Sequence, residues 1–403
     1  VLELCLGTFY AWSIFKAPLM AEPCKWDASQ VQWPMTLNAI FTGLAAFIIG
    51  ARADRSPRSV ALWSGILWGI GLLGGGYAVA TQNLPMLCVI FGVVGGIGIG
   101  LGYITGIAVP LKWCPQLKGL VSGIVIMAFG AGGMVIAKLG PGWMKDMGPT
   151  GPSTFLYGMG ATALVLCLLS TMGISNPPTY VPKAKPSNLA SLLPAEVLGS
   201  GKFWAIWLMT FINVYAGFAV ISQASPMGVK LMGLTTEEAG LLVMLMLLSN
   251  GLGRIFWSSL SDKIGARTVL VIMFFSLLAV FAAFLAVFAK VINIQSTVVF
   301  SAMCCYVTLC YGGIFGTMPA FAAGIFGPSQ MGRFYGPVLT AISAGAVFVQ
   351  FFFSNLIKTH GYPLPFTLIC VTLLVATVLP FLVRSSAAPA ETPKPAGPQL
   401  ARK

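Results

Sequence analysis

Arg254 stands inside the run GLLVMLMLLSNGLGRIFWSSLSDKIG, an apolar stretch long enough to cross a bilayer with a fixed charge near its middle. Asp262, Lys263 and Arg267 mark the membrane-edge end of the run. Arg254 precedes Asp262 by eight residues, which is about 12 Å along a helix axis. An arginine at that depth costs about 2.5 to 3.5 kcal/mol on insertion scales, so such residues face a bundle interior or an aqueous cavity and mark a substrate path. Asn250, one turn earlier, shares its face. The chemistry open to a guanidinium placed there is the charge-assisted, bidentate binding of an anion, above all a carboxylate. The plainer use of the residue is structural, capped by backbone carbonyls or snorkelling to the surface. Its depth, with no acid on the same helix nearer than Asp262, favours binding.

Other reactive residues are sparse. One histidine, His360, lies before the last apolar run, and the nine cysteines sit mostly inside such runs without zinc-finger or CxxC spacing. A histidine metal cluster and a Ser-His-Asp triad therefore lack material, and neither an enzyme nor a cofactor is expected. Apart from Glu237 and Glu238, which suit an outer helix cap behind Thr235, the acid inside a predicted span is Glu3. Buried, it would titrate near neutrality and is the candidate proton carrier; pairing at the membrane edge is its plainer use. Tyr103 is nine residues, or about 13 Å, from the membrane-edge Lys112, and so is central as well, although any single tyrosine can be an amphipathic core residue.

The elements that position these residues follow from composition. Hydrophobic residues make up 57% of the chain and charged ones only 8%, far below the roughly one quarter usual in soluble domains. At about 20 apolar residues per crossing, twelve spans are expected, at 1–20, 31–51, 59–81, 84–111, 118–143, 153–175, 203–228, 236–260, 267–290, 294–325, 333–358 and 362–384. The net charge of +13 lies in short loops and tails rather than along one solvated face, which argues for topology and against nucleic acid. The positive-inside bias places both termini in the cytoplasm of an inner (plasma) membrane, with the bilayer as the protein's solvent. The chain starts at Val1 within an apolar run and shows no cleavable signal, so part of the first span is expected to be missing. The glycine-dense GVVGGIGIGLGYITG lacks GxGxxG spacing and reads as close helix packing.

The chain repeats itself. Gly43 precedes Asp54 by eleven residues and Gly251 precedes Asp262 by eleven; Pro115, Gly119 and Gly123 match Pro328, Gly332 and Gly336 at a similar offset. Internal duplication with six spans per half marks transporters whose site lies at the midplane between the repeats. The expected organisation is a six-helix half over 1–175, a Pro-rich cytoplasmic linker over 176–202, a second half over 203–384 and a disordered cytoplasmic tail over 385–403. Within this all-α membrane fold each chain holds both halves of the pathway, so a monomer is expected.

The loop GARADRSPRS and its echo SLSDKIGAR resemble the cytoplasmic loop motif of the major facilitator superfamily, though Ser56-Pro57 replaces a usual glycine in the first copy. In that motif the acid faces a neighbouring helix terminus and the basic residues pair across the halves, which assigns gating to Asp54, Arg55, Asp262 and Lys263. TFYAWSIFKAPL, YITGIAVPLKWCPQLKGLVSG and NGLGRIFWSSLSDKIG further resemble the oxalate/formate antiporter branch and its monocarboxylate transporter relatives, over nearly the whole chain. The resemblance implies a central cavity lined by Tyr10, Tyr103, Arg254, Tyr311 and Phe315, with Asn250 beside Arg254. It also exposes a departure. Oxalate antiporters carry a second cation on span eleven, where this chain has Ile342. One arginine would leave a dianion under-compensated by several kcal/mol, so one carboxylate per arginine fits better. The expected function is alternating-access transport of a small monocarboxylate of the lactate or pyruvate type with a proton. An anion exchanger of the oxalate/formate type is the second carrier reading, and an anion channel the reading from another class. Asn250 stands where animal monocarboxylate transporters tend to have an acid, which leaves the proton site to Glu3 or to the substrate itself.

Overall fold

The computed structural model describes residues 1–180, 195–292 and 296–383. The expected tail over 385–403 and the middle of the expected linker lie outside the described residues. All regular structure among the described residues is helical. The helices are α1 (residues 2–20), α2 (Ala28–Arg55), α3 (Pro57–Ala80), α4 (Leu84–Trp113), α5 (Lys118–Asp146), α6 (Gly151–Ser170), α7 (Gly201–Met232), α8 (Thr236–Ile264), α9 (Ala266–Phe288), α10 (Thr297–Phe326), α11 (Pro328–His360) and α12 (Pro363–Leu382). Eleven are long and apolar enough to cross a membrane. The first expected span differs. Residues 2–20 form three pieces, Leu2–Leu6, a 3-10 segment Gly7–Trp12 and Ser13–Met20. The segment is pressed onto α5, where a Cβ on Gly7 would overlap the Phe129 carbonyl and a Cβ on Gly132 the Leu4 carbonyl.

Packing follows the glycines. Gly92, Gly96 and Gly100 of α4 bring its backbone against the Pro34, Asn38 and Thr42 carbonyls of α2, four residues apart on both helices. Gly98 meets α3, whose Ser64 Oγ donates to the Gly98 carbonyl at 2.7 Å. Two helices carry π-helical turns, Cys88–Val94 in α4 and Phe348–Phe353 in α11. A π turn frees backbone acceptors. The Phe91 carbonyl takes a hydrogen bond from the fully buried Asn38 Nδ2 at 2.8 Å, and Ser354 Oγ donates to the Val349 carbonyl at 2.8 Å.

The first six helices pack chiefly as α2 on α4 and α3 on α6, and six positions later α8 packs on α10 and α9 on α12. The two sets meet where α2 crosses α11 and where α5 crosses α8 and α10. Each crossing is tight because it is made of glycine: Gly50 and Gly332 lie backbone to backbone between α2 and α11, and Gly119 approaches the Ser258 carbonyl between α5 and α8. Gly332→Ala would drive a methyl into the Gly50 carbonyl, which cannot rotate away, at a cost of about 1 to 3 kcal/mol. A lower melting temperature in detergent than that of Gly158→Ala, where nothing lies within 4 Å, is the expected result.

Candidate functional site

A cavity of about 130 Å³ lies between the two sets of helices. Its walls come from α1, α2, α4, α5, α7, α10 and α11, and it includes Tyr10, Tyr103, Tyr311 and Phe315. Gln32 and Gln350 also line it. Gln32 is 22 residues from Asp54 on the same helix, or about 33 Å, so the cavity reaches toward the end of the bundle away from Asp54. Each aromatic residue has a seat. Tyr10 rests on Gly133, Tyr311 on Gly217, and Phe129 makes T-shaped contacts with Tyr10 and Tyr103 at ring distances of 5.3 and 5.1 Å. No lysine, arginine, aspartate or glutamate is among the described lining residues.

Arg254 lies behind this wall. Its guanidinium carbon is 6.0 Å from the centre of the Tyr10 ring and 5.7 Å from that of Phe315, within cation–π range of both. The side chain is 2% exposed. Nη1 donates to the Ile126 carbonyl of α5, Nε has no hydrogen-bond partner, and no ion pair reaches the guanidinium among the described residues. It rests against Gly130, where an added Cβ would lie 2.9 Å from Nη1. The turn is gripped from both sides, with Gly123 of α5 and Gly316 of α10 each facing the Arg254 carbonyl.

Asn250 is placed elsewhere. Its backbone abuts Gly312 of α10, its Oδ1 lacks a partner, and it does not line the cavity. A shared helix face sets direction but not depth behind a neighbour, and Gly312 draws Asn250 into the α8–α10 seam. Glu3 is buried on α1 with both carboxyl oxygens unpartnered, packed against Gly106 of α4 and apart from the cavity wall.

The four residues from the repeated loops divide into two kinds. The Asp54 carboxylate accepts from the backbone N–H groups of Gly332 and Arg333, both at 3.0 Å, at the start of α11. The Asp262 carboxylate accepts from Gly119 and Leu120, both at 2.8 Å, at the start of α5. A helix N-terminus with unpaired N–H groups and a positive dipole end suits an acid in this way. Neither bond is within one repeat: α2 caps α11, and α8 caps α5. The basic residues of the two loops take different places. Lys263 is exposed and makes no ion pair among the described residues, and Arg55 is half-buried at the rim of a small pocket that it shares with Asp54, Tyr180 and Arg333.

Lys112 is the cation paired with Asp54. Its Nζ is 3.0 Å from Asp54 Oδ1, donates to the Asp54 carbonyl at 3.0 Å and to Asn176 Oδ1 at 3.2 Å, and sits 4.5 Å from the centre of the Tyr180 ring. Asn176 Nδ2 donates to the Asp54 carbonyl at 2.8 Å, and the Tyr180 hydroxyl donates to the Ser329 carbonyl at 3.3 Å. Burial, then the nearby Asp54, push the Tyr180 hydroxyl up from its usual range, which keeps it a donor at neutral pH. In sequence Lys112 is one more topogenic charge. Its position at the end of a glycine-packed helix is the feature that could have singled it out.

Comparison with known proteins bears on the family and the fold. The Major Facilitator Superfamily model matches residues 4–336 and 229–403. An uncharacterized MFS-type transporter YhjX of Escherichia coli is 26% identical over 86% of this chain and 84% of its own length. The oxalate:formate antiporter of Oxalobacter formigenes is 24% identical over 94% of this chain and 88% of its own. Apicoplast pyruvate carrier 1 of Toxoplasma gondii is 23% identical over 81% and 68%. Among solved structures, the proton:xylose symporter XylE superposes with a TM-score of 0.74 at 13% identity, covering 94% of each chain. The fucose transporter FucP in its outward conformation superposes with a TM-score of 0.70, also at 13% identity, covering 95% of this chain and 98% of its own. At those identities the superpositions speak to the fold.

Proposed function

The chain belongs to the Major Facilitator Superfamily, and we propose that as a transporter of that family it carries a small monocarboxylate of the lactate or pyruvate type, together with a proton, by alternating access. The observation that carries this reading is Arg254: a buried guanidinium with an unpartnered Nε and no ion pair among the described residues, 6 Å or less behind two aromatic walls of the central cavity. A carboxylate lodged among Tyr10, Tyr103 and Tyr311 would supply the missing charge and take hydroxyl support, with Phe315 against its carbon tail. Ile342 is on the cavity wall, an apolar side chain at the position where the resemblance to oxalate antiporters would put a second cation. One fixed charge suits one carboxylate.

Residues 1–175 and 203–384 act as two halves that rock about the cavity, joined by the linker 176–202, and one chain is sufficient as a monomer. The basic loops put the termini and the Asp54 end in the cytoplasm of the inner (plasma) membrane, so the cavity reaches toward the outer face. Resemblance to the pyruvate carrier supports the substrate class. Resemblance to the oxalate:formate antiporter supports the second reading, exchange of one carboxylate for another without a proton.

Uptake of labelled L-lactate into proteoliposomes separates the two. Under an inside-alkaline gradient the expected result is accumulation, with pyruvate competing better than oxalate or formate. Uptake that requires preloaded anion, or that oxalate blocks best, would establish the exchanger. Glu3 carries the proton in this scheme, so Glu3→Gln is expected to abolish stimulation by the pH gradient while exchange against internal lactate continues. Stimulation that survives in Glu3→Gln would assign the proton to the substrate itself.

A further inference from the structure

Arg254 belongs to α8, yet the group that holds its guanidinium is on α5, from the other six-helix set. The Ile126 carbonyl accepts from Nη1, and Gly130 one turn later leaves the space in which the planar group lies. The cation that should meet a carboxylate is thus held across an interface between the two sets. A carbonyl is a neutral acceptor. A carboxylate adds a full counter-charge and can take two parallel N–H groups of the fork, which a single carbonyl cannot. Nε, which has no partner in the parked position, is free to join such a bond.

Resting on the carboxylate reading above, we infer that Arg254 is a bolt as well as a binding group: in the empty carrier it ties α8 to α5 through Ile126 and Gly130, and an incoming carboxylate withdraws it. Gly130 is then a positioning residue, since its lack of a side chain creates the parking place. Loaded carrier crosses with the bolt drawn, because the guanidinium is bonded to the substrate. Empty carrier must break the Ile126 bond with nothing to replace it. Its return is the slow step of the cycle, and exchange of internal for external acid outruns net uptake.

Gly130→Ala tests this directly. The new methyl would lie 2.9 Å from Nη1 and 3.3 Å from the guanidinium carbon, and these atoms are the movable end of a long side chain rather than backbone, so the variant folds by displacing the guanidinium. The measurement is labelled L-lactate entry into proteoliposomes preloaded with lactate, divided by entry into empty ones, together with KM in each mode. Gly251→Ala, on α8 with nothing within 4 Å, is the control. In the natural protein and the control the ratio is expected well above one. In Gly130→Ala it falls toward one, by roughly tenfold for loss of one hydrogen bond to a charged donor, and KM falls because the guanidinium is no longer held elsewhere. A general packing defect would lower the maximal rate in both modes and leave the ratio alone. An unchanged ratio in Gly130→Ala, or a ratio of one in the natural protein, overturns the bolt while leaving carboxylate transport in place. Lactate entry in neither mode overturns the transport reading and the bolt with it.

Discussion

Arg254→Ala leaves a folded protein that no longer accumulates carboxylate. The two halves of this expectation have different physical origins. A guanidinium that is 2% exposed, with one carbonyl acceptor, an unpartnered Nε and no ion pair among the described residues, contributes little to holding the fold, because its desolvation is poorly compensated. Removing it breaks no ion pair among the described residues, so the melting temperature should stay level or rise. Binding behaves in the opposite way. Truncating one side of a buried, hydrogen-bonded charge pair costs about 2 to 5 kcal/mol, a loss of roughly thirtyfold to several thousandfold in affinity. Arg254→Lys keeps the charge but not the planar fork, and should recover only part of the uptake. Uptake and thermal unfolding of the same preparations decide the matter. A purely structural arginine would lower both together.

The depth of Arg254 was legible in the sequence because charge within a long apolar run is rare and its distance from Asp262 can be counted. The direction in which the guanidinium points was not. Periodicity puts a residue on a helix face, but Arg254 has a long side chain, and whether it enters the cavity or lies against Gly130 depends on a contact with a residue 124 positions away. The same limit explains Asn250, whose face is shared with Arg254 while its place is set by Gly312. The paired acids were legible for a different reason. Their repeat at matched spacing makes Asp54 the counterpart of Asp262 and Gly119 the counterpart of Gly332; that each acid accepts from the glycine of the other half is set by helix crossings that spacing does not reveal. The ion pair of Lys112 was not legible because burial cannot be read from a lone lysine at a span end, nor were the contacts of Asn176 and Tyr180, because a Pro-rich linker carries no periodicity from which a docking face could be inferred.

The two acids also predict an asymmetry that their sequence symmetry hides. Both cap a helix of the other six-helix set, but Asp54 is buried and bonded to a buried Lys112, whereas Asp262 is exposed and accepts from the backbone N–H groups of Gly119 and Leu120. Asp262→Asn keeps one acceptor oxygen at a solvated helix terminus, so the expected loss is about 1 kcal/mol, the scale of an ordinary cap. Asp54→Asn removes the anion from an enclosed pair and leaves Lys112 charged without it, a change on the order of 3 to 5 kcal/mol. If α2 and α11 hold the Asp54 end closed, that energy is drawn from the state in which the cavity reaches the opposite end. Asp54→Asn should therefore reduce uptake far more than Asp262→Asn and lower the melting temperature. The double variant Asp54→Asn/Lys112→Gln removes the stranded charge and should regain part of both, whereas a cap acting through the backbone bonds alone would show no such recovery. Melting curves and lactate uptake for the four proteins, natural, Asp54→Asn, Lys112→Gln and the double variant, give the coupling energy directly. A coupling near zero would mean that Lys112 serves the Asn176 and Tyr180 contacts rather than Asp54, and would move the origin of closure from the ion pair to the linker that docks upon it.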